Sequence, residues 1–158
     1  MSFDPVFTPT SKILILGTYP SPASREVQFY YGHRFNRFWP LMASLLDEQV
    51  PQSVDEKKRM LTRHDIALWD VLHSCDVVGA ADSSITNPVP NPVEELVKQC
   101  PIRQVFLNGA KAMQLYQKFC KVKIDLPCLK LPSTSPANAQ FSMQRLQKEW
   151  SCIRNFLD

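Results

Sequence analysis

Several features that mark common classes of protein are missing from this sequence of 158 residues. No apolar run reaches the roughly eighteen residues that a membrane-spanning helix needs. The N-terminal region also lacks the charged-then-apolar order of a secretion signal. We find no internal repeat, low-complexity tract or linker. We therefore expect a single domain over residues 1–158, monomeric, cytoplasmic and without membrane contact.

Close pairs of metal-binding residues are also missing. The five cysteines are widely spaced, and the three histidines show no metal-ligand spacing. We expect reduced cysteines, no metal and no cofactor. The loop after the first apolar run has no glycine-rich nucleotide fingerprint, which argues against an unrelated phosphate- or nucleotide-binding domain. The cysteines are Cys75, Cys100, Cys120, Cys128 and Cys152.

Charge is unevenly distributed along the chain. Residues 1–97 carry 8 basic and 12 acidic side chains, a net of −4, whereas residues 98–158 carry 10 and 3, a net of +7. The basic C-terminal part is compatible with a polyanionic partner. Exposed lysines on helices explain it equally well.

Short apolar runs alternate with helical patterns. This order predicts an α/β fold, a three-layer α/β/α sandwich around a mostly parallel sheet of four strands. The strand-like runs are Lys12–Gly17, Ile66–Leu72, Gln104–Asn108 and the run in "PCLKLPSTSP" that Pro132 ends. The helical patterns are Phe38–Glu48, Pro92–Cys100, Gly109–Cys120 and Met143–Leu157.

Ligands of such sheets bind beyond the carboxyl ends of the strands. The loops to consider therefore follow Leu16, Leu72, Asn108 and Leu131. They read "GTYPSPAS", "HSCDVVGAADSSITNPVPNP", "NGAKA" and "PSTSPAN", and most of the thirteen prolines lie in or beside them. Proline stiffens a loop and reduces the entropy that it loses on docking to a partner.

The segment "YYGHRFNRFW" (30–39) combines five aromatic rings with two arginines and one asparagine. We assign Phe38 and Trp39 to the core, while its other aromatic residues suit either the core or a ligand platform. By position alone, Asn36 is a good N-cap for the helix that follows.

Three motifs in order, "GTYPS", "YYGHRFNRFW" and "LPSTSPAN", resemble those of the uracil-DNA glycosylase superfamily. Within it, they are similar to the hypoxanthine-DNA (DNA-deoxyinosine) glycosylase family. The similarity extends to "WDVLHSC" and "FLNGAKA" and covers nearly the whole chain. It implies an enzyme that flips a deaminated base out of DNA and hydrolyses its N-glycosidic bond without a metal.

The resemblance also assigns roles to residues. Asn36 matches the asparagine that positions the attacking water, and Tyr30 or Tyr31 matches the ring that stacks on the flipped base. Asp70 matches a position that reads the base edge, although a carboxylate there equally suits holding a loop amide. Apart from the resemblance, the backbone donors of the loop from Gly17 to Ser21, including those of Thr18 and Tyr19, suit binding of the oxygen of the departing base.

Further residues match the surface that meets DNA. The "PSTSPAN" loop corresponds to a loop that enters the duplex, and the basic residues beside the motifs suit phosphate contacts. The loop residues are Ser133, Thr134, Ser135 and Pro136, and the basic residues are Arg34, Arg37 and Lys130.

Family members tend to carry proline where this chain has Arg34, which leaves the preferred base open. We expect deoxyinosine, with uracil or xanthine as further substrates. Because no lysine nucleophile accompanies the motifs, we expect a monofunctional glycosylase of base excision repair that leaves an abasic site. The alternative is a catalytically silent nucleic-acid-binding module of the same fold.

Overall fold

The computed structural model describes residues 3–20, 22–76 and 85–157. Its strands are β1 (Ile13–Gly17), β2 (Ile66–Asp70), β3 (Leu72–Asp76), β4 (Thr86–Pro90), β5 (Gln104–Asn108) and β6 (Cys128–Leu131). Its α-helices are α1 (Pro22–Val27), α2 (Phe38–Leu45), α3 (Val54–Arg63), α4 (Val93–Val97), α5 (Ala110–Phe119) and α6 (Met143–Trp150). Short 3₁₀ segments cover Lys121–Lys123 and Ser151–Phe156.

The core lies on both faces of a four-stranded parallel sheet with the order β2-β1-β5-β6. Every residue of β1, β2 and β5 is buried. Because successive side chains of a strand point to opposite faces, complete burial means that both faces are covered. The predicted α/β fold with a parallel sheet of four strands is confirmed.

The predicted strand Ile66–Leu72 divides at Val71. The Val71 amide donates to the Gly17 carbonyl at 2.8 Å and the Leu72 amide to the Thr18 carbonyl at 3.0 Å. Leu72 then starts β3, which pairs antiparallel with β4. The segment predicted as one long loop therefore contains a two-stranded hairpin, and its residues 77–84 lie outside the described residues.

Helix ends differ from the sequence prediction in three places. α2 ends at Leu45 rather than Glu48, and Asp47 takes a left-handed backbone conformation with φ of 55°. α4 is shorter than predicted at both ends. The final helix tightens into a 3₁₀ segment from Ser151 onward. α1 and α3 were not among the predicted helices.

The register of the sheet places the carboxyl ends of its strands at one edge. Gly17 pairs with Asp70, Leu16 with Leu107, and Asn108 with Leu131. The loops that carry the sequence motifs consequently begin side by side. Among the described residues, no helix is long and apolar enough to cross a bilayer.

Candidate active site

Gly17 lets two side chains approach the end of β1 closely. A Cβ atom at this position would lie 2.5 Å from Asp70 Oδ1 and 2.8 Å from the Tyr31 hydroxyl. Both distances are too short for any side chain to be added. The absence of a side chain at Gly17 therefore permits a carboxyl group and a phenol to meet beside the first loop.

The two adjacent tyrosines have different environments. Tyr30 is 2% exposed, and its hydroxyl donates to the Asp4 carbonyl at 2.8 Å, so it belongs to the core. Tyr31 is half-buried and stacks on Phe38, with ring centroids 4.2 Å apart. The Phe38 ring covers one face of Tyr31. The Tyr31 hydroxyl lies against Gly17.

Tyr31 also carries backbone strain, because its φ of 55° lies in the left-handed region that non-glycine residues avoid. Strain of this kind costs about 1–3 kcal/mol and tends to occur where a side chain must be aimed for function. Its hydroxyl is buried without a well-formed hydrogen bond, although the Asn108 amide lies beside it. Burial and the nearby carboxyl group of Asp70 raise the pKa of this phenol.

Asp70 ends β2 with its carboxyl group in the interior. The residue is 3% exposed, and Oδ2 is buried without a hydrogen-bond partner among the described residues. Burial raises the pKa of this carboxyl to about 7. Its backbone carbonyl accepts from Asn91 Nδ2 at 2.9 Å, which fixes the strand end. An unpartnered carboxyl group is costly to bury and has capacity for a ligand.

Asn36 lies just before α2 and uses one oxygen twice. Its Oδ1 accepts from the Phe38 backbone amide and from the Thr134 hydroxyl, each at 2.9 Å. A backbone N–H can only donate, so the oxygen must face Phe38 and the orientation of the carboxamide is fixed. The Nδ2 group has no partner among the described residues. The N-cap of α2 is Arg37 rather than Asn36, the residue that position alone predicted, but the Asn36 oxygen still accepts the first backbone N–H of the helix and its own N–H donors remain available.

Thr134 links Asn36 to the end of β5. Its hydroxyl accepts from Asn108 Nδ2 at 3.1 Å, and its backbone amide donates to Asn108 Oδ1 at 3.1 Å. Thr134 is fully buried and Asn108 is 8% exposed. The hydroxyl expected to meet DNA is instead inside the protein. This Asn108–Thr134–Asn36 chain of hydrogen bonds is not predicted from the sequence, since nothing in the spacing of these residues pairs them.

The rest of the "PSTSPAN" loop is folded on itself. Ser133 Oγ accepts from the Ser135 amide and Ser135 Oγ from the Ala137 amide, each at 3.1 Å. Asn138 Nδ2 donates to the Ser133 carbonyl at 3.0 Å. Ser133 and Ser135 are half-buried, whereas Pro136 is exposed at the tip. Such turns leave the hydroxyl hydrogens able to donate outward.

Arg37 holds this loop rather than facing solvent. Its guanidinium group donates to the carbonyls of Ser135 and Asn138, each at 3.0 Å, and to that of Phe141. Because both terminal nitrogens bind carbonyls and Nε is buried, the phosphate contact predicted for Arg37 does not suit this geometry. Arg34 is exposed instead, with its guanidinium carbon 4.7 Å from the centre of the Phe35 ring.

The remaining predicted residues lie around this group. Thr18 and Tyr19 are half-buried, and the Arg25 guanidinium lies 5.8 Å from the Tyr19 ring. Ser21 lies outside the described residues, and Lys130 is exposed on β6. No cluster of histidine, cysteine or acidic residues among those described suits a metal ion, and no disulfide links the described cysteines.

The uracil DNA glycosylase superfamily model matches residues 5–157 of the sequence. The chain belongs to this superfamily. It is 34% identical to the hypoxanthine DNA glycosylase of Methanosarcina acetivorans over 153 residues, which are 96% of this chain and 95% of that protein. Over 113 residues, 70% of this chain and 71% of the relative, it is 35% identical to the hypoxanthine DNA glycosylase of Methanosarcina barkeri.

A solved structure agrees with this membership. The fold is similar to the solution NMR structure of a candidate uracil DNA glycosylase from Methanosarcina acetivorans, with a TM-score of 0.83 and 32% identity. The similarity covers 96% of this chain and 94% of that one. The superfamily resemblance drawn from the sequence motifs is confirmed.

Proposed function

We propose that the chain is a DNA glycosylase that hydrolyses the N-glycosidic bond of deoxyinosine and releases hypoxanthine. Two relatives that carry the name hypoxanthine DNA glycosylase support the substrate, since each is at least 34% identical over more than two thirds of this chain. Uracil and xanthine are secondary substrates in this proposal. The protein acts as a monomer inside the cell, on DNA with a deaminated base, in base excision repair.

The proposal depends on the fixed carboxamide of Asn36. Glycosidic bond cleavage develops positive charge on the sugar, and a weakly nucleophilic water suffices if it is held in position. Both lone-pair directions of Asn36 Oδ1 are occupied by Phe38 and Thr134. The Nδ2 hydrogens therefore hold the water by its oxygen. Asn36 positions this nucleophile and takes no proton from it. The C–N bond breaks with its electron pair going to the departing base, the C–O bond forms, and the proton of the water passes to solvent.

Tyr31 supplies the face on which the flipped base stacks. The Tyr31 ring is already stacked on Phe38, so the base adds a third ring to an existing stack and few further side chains lose freedom when it binds. Tyr30 has no such role because its ring is buried in the core. The space left by the missing side chain of Gly17 holds the Tyr31 hydroxyl and the Asp70 carboxyl group beside the loop after β1.

Asp70 reads the edge of the base in this proposal. Hypoxanthine has an N1–H donor where adenine has an acceptor. An ionised carboxylate can only accept hydrogen bonds, so it favours hypoxanthine, whereas a protonated carboxyl group can also donate to adenine. With a pKa near 7, raised by burial, both forms of Asp70 occur at neutral pH.

The test uses labelled duplexes with one inosine, uracil, xanthine or mismatched thymine, followed by alkali. We expect the inosine duplex to be cleaved faster than the other three. Asn36→Ala should lose at least about 100-fold in single-turnover rate, the size of effect that positioning provides. Val122→Ala, at an exposed position on a 3₁₀ segment, is the control. The enzyme proposal fails if no duplex breaks, and the role of Asn36 fails if Asn36→Ala keeps the wild-type rate.

A further inference from the structure

Phe35 is an exposed aromatic residue at the edge of the candidate site. Its side chain is 60% exposed, although a phenylalanine normally gains stability by burial. Large exposed apolar side chains among the described residues are few, and Phe35 is the aromatic one. They are Phe35, Val50, Val89, Val122 and Leu129.

The turn that carries Phe35 is internally bonded. The Asn36 amide donates to the His33 carbonyl at 2.8 Å, and the Phe35 amide donates to His33 Nδ1 at 3.1 Å. The guanidinium carbon of Arg34 lies 4.7 Å from the centre of the Phe35 ring. The ring is therefore presented from a defined turn with a positive charge against it, an arrangement suited to a π-stacked, anionic partner.

This turn lies beside the "PSTSPAN" loop. Asn36, the next residue after Phe35, binds Thr134, and the Arg37 amide donates to the Thr134 carbonyl at 3.1 Å. The exposed tip of the loop consists of Pro136 and Ala137, which are small. The loop offers no large apolar side chain to fill the space that a flipped nucleotide leaves in the duplex.

We propose that Phe35 inserts into the base stack of duplex DNA beside the flipped nucleotide, while Arg34 contacts the adjacent phosphate. Apolar wedges of this kind compensate for the stacking lost when a base step is opened. The exposed ring belongs to the residue directly before Asn36, and the charge of Arg34 complements the DNA backbone. The inference rests on the proposed function, because it requires a duplex from which a base is flipped.

A wedge is needed in a duplex but not in a single strand. Single-turnover cleavage is therefore compared for one inosine oligonucleotide, alone and paired, with wild type, Phe35→Ala, Phe35→Leu and Val122→Ala. Since one stacking contact changes rates by about tenfold or more, we expect Phe35→Ala to lose about tenfold on the duplex and less than about twofold on the single strand. Phe35→Leu should recover most of the loss, and Val122→Ala should match wild type.

Insertion is also measured without cleavage, by the emission of 2-aminopurine placed next to the inosine. We expect the emission change on binding to fall by about half or more in Phe35→Ala. Equal losses on both substrates, or an unchanged emission response in Phe35→Ala, would overturn the wedge. A wild-type protein that cleaves neither substrate contradicts the proposed function, whereas the emission measurement still decides the wedge.

Discussion

Asn36 combines a structural and a chemical role in one side chain. The oxygen that accepts the first backbone N–H of α2 also accepts from the Thr134 hydroxyl, so the helix and the loop together set the direction of the carboxamide. A freely rotating asparagine would spend much of its time in unproductive orientations. The two hydrogen bonds remove that freedom before substrate binds, which is the physical meaning of preorganisation at this site.

Replacing Thr134 tests whether the orientation of Asn36 matters. Thr134→Val keeps the shape but removes the hydroxyl between Asn108 and Asn36. We expect a loss of about 1–3 kcal/mol in the free energy of unfolding, because buried polar groups are left unpaired, together with a rate loss of about tenfold or more. Thermal unfolding and single-turnover cleavage measure the two effects.

Thr134→Ser is the matched control because it keeps the hydroxyl and loses a methyl group. It should recover most of the rate even where its stability remains below that of wild type. If Thr134→Val and Thr134→Ser lose the same rate, the hydroxyl contributes only to stability, and the account of Asn36 orientation is wrong.

The ionisation of Asp70 should control base selectivity. As the pH rises through about 7, Asp70 changes from a group that can donate and accept to one that only accepts. The ratio of cleavage rates for inosine and adenosine duplexes should therefore increase with pH in wild type. In Asp70→Asn, which does not titrate, the ratio should stay flat. A parallel pH profile in the two proteins would exclude this role.

The same carboxyl group should influence stability in a known direction. Burial raises the pKa of Asp70 from 3.8 to about 7, so the folded protein binds the proton more tightly than the unfolded chain does. The resulting stabilisation is complete below pH about 4 and is lost as the pH rises to about 7. Relative to Asp70→Asn, wild type should lose up to about 4 kcal/mol across this range. Urea unfolding at several pH values measures it, and a constant difference would contradict the buried-carboxyl account.

The central strands could be predicted from sequence because they are buried on both faces. In β1, β2 and β5, every position is apolar or at a strand end, and such runs have few other interpretations.

Helix α3 is not predicted from the sequence because few of its residues are apolar, and of these only Met60 and Leu61 are buried. Its start signal was nevertheless present. The Glu56 amide donates to Ser53 Oγ at 3.1 Å, and the Glu56 carboxylate accepts from the Gln52 amide at 2.7 Å.

The sequence predicts a loop after β2 because seven of residues 73–92 are serine, threonine or proline, which favour turns. Its β3–β4 hairpin has an irregular register, and β4 contains two prolines, so the alternating pattern of an ordinary strand is absent.

The different environments of two adjacent residues, Tyr30 and Tyr31, were equally hard to predict. Tyr30 and Tyr31 differ in environment because a left-handed turn at Tyr31 redirects the chain, and one sequence does not reveal that φ value.

Arg37 holds the "PSTSPAN" loop through its carbonyls, whereas Arg34 is exposed to solvent. Substitution of the two arginines should therefore affect DNA binding differently. Arg34→Gln removes an exposed cation and should reduce the slope of log affinity against log salt by about 0.9, as expected for one lost phosphate contact. Arg37→Gln should weaken DNA binding through disorder of the loop while changing that slope less. Fluorescence anisotropy over a range of salt concentrations separates the two variants. Equal slopes for both variants would show that Arg37 contacts DNA directly.

At the scale of the molecule, the site is assembled from segments that are far apart in sequence. Thr134 and Asn36 are separated by 98 positions and Asn108 and Thr134 by 26, yet their side chains are hydrogen-bonded. The motifs identified the segments, because each carries an unusual local pattern. They did not identify the contacts, since these follow from the parallel register that places all the loops at one edge of the sheet.

The assembled site also predicts the form of the product. Strand cleavage after base removal requires an amine that attacks the sugar and forms a Schiff base. The side chains gathered at the sheet edge contribute a carboxyl group, a phenol, two carboxamides and a hydroxyl, and none of them is an amine. These residues are Tyr31, Asp70, Asn36, Asn108 and Thr134.

We therefore expect the inosine strand to remain intact until alkali is added, and borohydride to trap no covalent complex between protein and DNA. Quantitative gel analysis with and without alkali, in parallel with borohydride treatment, measures both. A trapped complex would mean that a lysine outside this group reaches the sugar. In that case water held by Asn36 would not be the sole nucleophile, and the rate of Asn36→Ala would retain a component that rises with pH as the amine loses its proton.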